Sequence, residues 1–154
     1  MREEGASPGL SEETIFTRRE ELLLISMITP ETPPQRAASL RLTEKGRKLL
    51  EIQEYERGLS KLEKAIAIDS RNRYTYYYLA QAHYLLTHYQ QSLNFLEIVE
   101  SIFVEESDWL ARVFALQGKN YAAQGFFERA DDNYAKALKL DPNNRVALKG
   151  ITEM

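Results

Sequence analysis

No cysteine occurs among the 154 residues, which excludes disulfides, thiolate zinc sites, iron–sulfur clusters and cysteine nucleophiles together. The absence assigns no compartment, because a thiol-free chain suits reducing and oxidising surroundings alike. Basic residues are in slight deficit, 20 Lys and Arg against 23 Asp and Glu, for a formal charge of −3. A dedicated nucleic-acid binder shows the opposite imbalance, so the charge argues against phosphate-backbone binding. Long apolar runs are missing too. The stretch from Leu22 to Ile28 is interrupted by Ser26 and falls far short of the about 20 residues a membrane-spanning helix needs. Glu20 and Glu21 precede it and no small-residue cleavage motif follows, so it makes a poor signal-peptide core. No targeting signal is read, and the compartment stays open: cytoplasm for a chain that starts at Met1, periplasm or envelope for one whose upstream signal has been removed.

What is present is a globular composition, 44% hydrophobic and 28% charged, in a length that suits one domain. Residues 1–10 carry Gly5, Pro8 and Gly9 among small and charged side chains and are expected to be mobile. From Ser11, a good N-cap, Glu12 and Glu13 suit a helix N-terminus, and Ile15, Phe16, Leu22 and Leu23 follow helical spacing. This extra helix is expected to span residues 11–29. Pro30, Pro33 and Pro34 then set an extended linker, and residues 30–38 hold that linker and the start of the next helix.

Downstream the chain repeats itself every 34 residues: Ser39 to Asn72, Arg73 to Glu106 and Ala111 to Asn144. An insert at 107–110, about one helical turn, precedes the third segment. The eighth position holds Gly46, Ala80 and Gly118, and the twentieth holds Gly58, Ser92 and Ala130. Small residues recurring at these places mark close approaches of two helices. Bulky columns alternate with them: Leu42, Tyr76 and Phe114 at the fourth position, Tyr55, Tyr89 and Phe127 at the seventeenth, Leu62, Leu96 and Tyr134 at the twenty-fourth. Large side chains fill the space small ones leave.

With these columns in place the chain resembles a tetratricopeptide repeat protein over residues 39–144. The third segment carries the pattern most fully, with Phe114, Gly118, Tyr121, Gly125, Ala130, Tyr134, Ala137 and Pro142. The resemblance implies an all-α, right-handed superhelical solenoid of three helix-turn-helix repeats. Residues 145–154 begin where a fourth repeat would, and Val146, Leu148 and Ile151 are expected to cap the third hairpin. The 11–29 helix is either the matching lid at the other end or a surface for dimerisation.

Chemistry is thin. His83 and His88, the only histidines, are five residues apart, about 140° around a helix, which is not metal-site spacing. The register puts His83 in the core and His88 in a turn. Adjacent carboxylates such as Asp131-Asp132 point to different sides of a helix. Gly118 and Gly125 follow no strand and precede no Lys-Ser or Lys-Thr, so no phosphate loop is formed. The expectation is a non-catalytic module without metal or cofactor.

Its partner is expected to be a protein or peptide. The resemblance places positions two, five, nine, twelve and thirteen of each repeat on the concave face. In the second repeat these are Tyr74, Tyr77, Gln81, Tyr84 and Leu85, with Tyr78 one step round. Two readings compete: packing between neighbouring helices, or the floor of a groove, since tyrosine offers apolar area with a polar tip. Arg47 and Glu51 flank the stripe from the first repeat, and Arg112 and Lys119 from the third. An aromatic floor with three cations suits a segment carrying acidic and apolar residues. One variant of the family clamps a peptide carboxylate with Lys and Asn side chains. Here Thr43, Arg47, Tyr78 and Leu116 stand at those places and only Arg112 agrees in charge, so no such clamp is expected. Trp109, in the insert, either covers the gap left by a longer helix or anchors a partner, and Ser107 and Asp108 favour an early start of the third repeat. The alternative function is a structural subunit that self-assembles or docks through its N-terminal helix or its repeat ends.

Overall fold

The computed structural model describes residues 24–153, and among them every regular element is an α-helix. Most of the expected 11–29 helix lies outside the described residues, as do residues 1–10; its last part, 24–26, is helical and closes in a turn through Met27 N–H donating to the Leu24 carbonyl. The helices that follow are α1 (Pro34–Glu51), α2 (Tyr55–Ile68), α3 (Arg73–Leu85), α4 (Tyr89–Ile102), α5 (Ser107–Ala123), α6 (Phe127–Leu140) and α7 (Arg145–Glu153). None is long and apolar enough to cross a membrane. Pro34 opens α1 instead of prolonging the linker, because the first helical position has no N–H partner to lose.

Three antiparallel hairpins result, α1 with α2, α3 with α4 and α5 with α6, and α1, α3, α5 and α7 lie side by side as one layer. The small columns sit at the crossings. A Cβ on Gly46 would stand 2.7 Å from Leu62 Cγ, and one on Gly58 2.8 Å from Leu50 Cδ2. Ser92 takes the same place in the second hairpin and donates to the Ala80 carbonyl at 2.7 Å, while Asn120 Nδ2 donates to Ser92 Oγ. Leu62, Leu96 and Tyr134 are all buried. Phe127 departs from its expected bulky core column and is exposed, since α6 is the last outer helix among the described residues and no further one covers it.

The three hairpin turns are built alike. Gln53 (φ 67°), Thr87 (φ 64°) and Gly125 (φ 85°) occupy the fifteenth position of their repeats in the left-handed region. In each, this residue's N–H and the next close a six-to-one and five-to-two pair: Gln53 to Leu50 and Glu54 to Leu49, Thr87 to Tyr84 and His88 to His83, Gly125 to Ala122 and Phe126 to Tyr121. That is the Schellman ending, which favours glycine. A β-branched residue pays most there, and Thr87 recovers only an exposed hydrogen bond to the Leu86 carbonyl. Thr87→Gly is therefore expected to stabilise the protein by about 0.5–1 kcal/mol, raising Tm by about 2 °C in calorimetry. A lower Tm would show that the turn is unstrained.

Of the three residues expected to cap the third hairpin, the C-terminal helix turns only Ile151 inward. Ala147, Gly150 and Ile151 meet the third hairpin, whereas Val146 and Leu148 stay 38% and 44% exposed. The reason is Tyr134, whose ring lies against Gly150 and admits no side chain there. Asn144 caps this helix by accepting from Ala147 N–H at 2.9 Å.

Candidate functional site

The tyrosine stripe of α3 divides. Tyr77, Gln81 and Tyr84 remain partly exposed, but Tyr78 and Tyr74 are only 1% and 8% exposed and belong to the core rather than to a groove surface. The cause is Trp109. The insert extends α5 backwards to Ser107, so the third repeat does start early, and this extra turn carries the indole across the stripe. Its ring centroid lies 4.9 Å from that of Tyr74, 5.5 Å from Tyr77 and 6.2 Å from Tyr78, and it stacks on Phe103 at 5.4 Å. Trp109 is 3% exposed, which makes it a covering residue and not an anchor offered to a partner. Glu106, just before the turn, accepts from the Tyr74 hydroxyl at 3.4 Å and pairs with Arg73 at 2.8 Å. Burial pushes the Tyr74 phenol above its ordinary range.

Arg47 also leaves the expected set. Its guanidinium is held on Glu44 at 2.8 Å and on Glu51 at 3.1 Å, and its side chain is 4% exposed. Glu44 and Glu51 stand three residues before and four after it, the spacing at which helical side chains meet, so the charge is engaged on α1 itself.

The remaining predicted residues converge. Tyr77, Gln81 and Tyr84 from α3 face Arg112, Leu116 and Lys119 from α5 across a cleft of about 320 Å³. Its far wall, which sequence reasoning missed, is the α6–α7 turn and the start of α7, with Asp141, Asn144, Arg145 and Val146. A second cleft of about 760 Å³ continues from it past Tyr84 and Lys119 to Tyr134, Lys149 and Glu153. The missed wall had a signal: counted as a fourth repeat from Arg145, Val146 and Lys149 are the second and fifth positions, both on the concave face.

Electrostatics distinguish the two ends of the cleft. Arg112 lies over the Trp109 ring at 4.5 Å, and Lys119 Nζ lies 5.0 Å from the Tyr84 ring centroid. Burial, and then Lys149, hold the Lys119 ammonium below the usual lysine range. Burial raises the Tyr84 phenol, and it pushes Tyr134 up to about 12. The histidines lie elsewhere, at the α3–α4 turn, with their Nδ1 atoms 3.2 Å apart and His83 stacked on Phe95. Among the described residues no group of three or more His, Asp or Glu is placed to hold a metal.

This arrangement of hairpins with an open face lined by alternate helices is the tetratricopeptide repeat fold. The family profile, described as Tetratricopeptide repeat, matches residues 111–144. Among solved structures it is similar to the Arabidopsis OM64 TPR domain, with 20% identity, a TM-score of 0.66, and 75% of this chain and 93% of that one covered. It is also similar to the first TPR of Spaghetti (RPAP3) bound to the HSP90 peptide SRMEEVD, at 21% identity and TM-score 0.64 over 75% of this chain and 89% of that one. A third likeness is to MamA 41-end from Desulfovibrio magneticus RS-1, at 17% identity and TM-score 0.57, covering 94% of each chain. Comparison with curated protein sequences finds no match.

Proposed function

We propose that the protein is a non-catalytic interaction module that binds a segment of another protein in the cleft between α3, α5 and the start of α7. One observation carries this reading: the cleft joins partly exposed tyrosine surface to cations, with Tyr77 and Tyr84 on one side and Arg112 and Lys119 on the other. Tyrosine buries apolar area at small rotamer cost, and unlike-charged pairs set the register of a bound chain. The structure of Spaghetti (RPAP3) with an HSP90 peptide supports a peptide as the kind of ligand this fold accommodates. The chemistry of a carboxylate clamp is not repeated here. Thr43, Tyr78 and Leu116 are buried, and Arg47 is engaged by Glu44.

The test is a pull-down from source-cell lysate, wild type against Tyr77→Ala/Tyr84→Ala, read by mass spectrometry. Both side chains are partly exposed, so the variant should keep its helical circular dichroism. The expected result is a protein captured by wild type alone, its affinity falling about 30-fold or more in the variant. Equal capture by both would place the partner elsewhere. Recovery of nothing but the protein itself, with mass rising with concentration, would move the reading to self-assembly through the repeat ends.

A further inference from the structure

The continuation of the cleft past Tyr84 contains an arrangement that packing alone does not explain. Lys119, on the inner layer, is largely withdrawn from water, yet its ammonium rests only on the Tyr84 ring, and no carboxylate lies within 4.0 Å of it among the described residues. Lys149 on α7 faces the same space and adds like charge. Asp141 and Glu153 border the two clefts, and neither forms an ion pair with either lysine. A half-buried cation beside a second cation is unfavourable for the free protein. An unfavourable arrangement kept in a cleft is the mark of a site that waits for a ligand.

We infer that Lys119 and Lys149 form a pocket for an acidic side chain, Asp or Glu, of the segment bound in the cleft, so that α7 is a wall of the site as well as a cap. The inference rests on the interaction reading above and adds the anchoring residues and the ligand group. A carboxylate suits the pocket because it is the negative group that an unmodified protein segment carries, and Arg145 at the start of α7 borders the same clefts and adds to their positive charge. The free ligand regains in the pocket a paired charge in a poorly solvated place, where Coulomb attraction is stronger than in water. Binding returns the Lys119 pKa toward its ordinary value.

The experiment is selection of random dodecapeptides displayed on phage, fused through their C-termini, on three immobilised full-length proteins: wild type, Lys119→Met/Lys149→Met and Tyr77→Ala/Tyr84→Ala. Such peptides carry neither a free C-terminal carboxylate nor phosphate, so any acidic preference comes from side chains. Wild type is expected to enrich peptides with Asp or Glu at a fixed position relative to an apolar residue. A synthetic copy of one should bind the double Met variant at least tenfold more weakly, with a flatter dependence on salt. In the absence of peptide, Lys119→Met should raise Tm by about 2 °C, because it removes the unpaired charge. Enrichment without acidic residues, or acidic enrichment that the double Met variant retains, overturns the pocket and leaves the groove standing. A drop in Tm for Lys119→Met makes this lysine structural and also overturns it. No enrichment by wild type at all refutes the groove itself, and the pocket with it.

Discussion

Trp109→Ala should lower the unfolding free energy by about 3–5 kcal/mol, a large share of the about 5–15 kcal/mol that holds a domain of this size. The expectation follows from where the indole sits. It stacks on Phe103 of the α4–α5 turn with an interplanar angle of 17°, meets Tyr77 and Tyr78 of α3 edge-on at 80° and 88°, and lies tilted over Tyr74. Each pair of this kind adds about 0.5–1.5 kcal/mol beyond its buried area, and removing the hub breaks all of them together. The insert that carries Trp109 therefore adds a clasp between the second and third repeats to the packing of α4 on α5 and the Asn120–Ser92 and Gln117–Glu100 hydrogen bonds. Urea unfolding followed by circular dichroism should show a lower midpoint at unchanged slope. Trp109→Phe, which keeps a ring against Phe103, should cost well under half as much. A loss below about 1 kcal/mol for the alanine variant would mean that the cluster is bystander packing and that the repeats are held by their small columns alone.

The period and the small columns were legible because they are local consequences of helix crossing. Gly46, Gly58 and Gly118 must be small wherever two backbones pass, whatever the rest of the chain does. The division of the tyrosine stripe was not legible. On a helical wheel Tyr74 and Tyr77 share a face, and what separates them is an indole delivered from 35 residues further along Tyr74's chain by an insert whose tilt has no local code. Arg47 is an intermediate case. Its partners Glu44 and Glu51 sit at the spacing that pairs charges on a helix, so its engagement could have been read from α1 alone. The role of α7 in the cleft was hidden by its length: nine residues read as a lid, although Val146 and Lys149 occupy the same register positions as the groove residues of complete repeats. A cap that closes a solenoid's core necessarily also extends its concave face by one helix.

The second large effect is expected at Gly118, and there the sign of the change is itself diagnostic. A Cβ on Gly118 would stand 2.5 Å from Cε1 of Tyr134 and 2.7 Å from its Cδ1; one on Gly150 would stand 2.4 Å from Cζ of the same ring. The Tyr134 ring thus fits against bare backbone on both α5 and α7, and at 2% exposure it has no route into solvent. Gly118→Val should then cost about 3 kcal/mol through overpacking, and because the ring can yield only toward Gly150, it should loosen α7 and weaken any ligand held by Lys149. Glycine inside a helix is intrinsically worse than alanine by about 1 kcal/mol. In the absence of the ring, substitution at Gly118 should therefore help. Tyr134→Ala alone is expected to be costly, but adding Gly118→Ala to it should recover about 1 kcal/mol, whereas Gly118→Ala in the wild-type background should destabilise. A double-mutant cycle read by urea unfolding measures this reversal. If Gly118→Ala stabilises both backgrounds equally, the ring does not need the bare backbone, and the recurrence of small residues in this column reflects helix crossing without any seat for Tyr134.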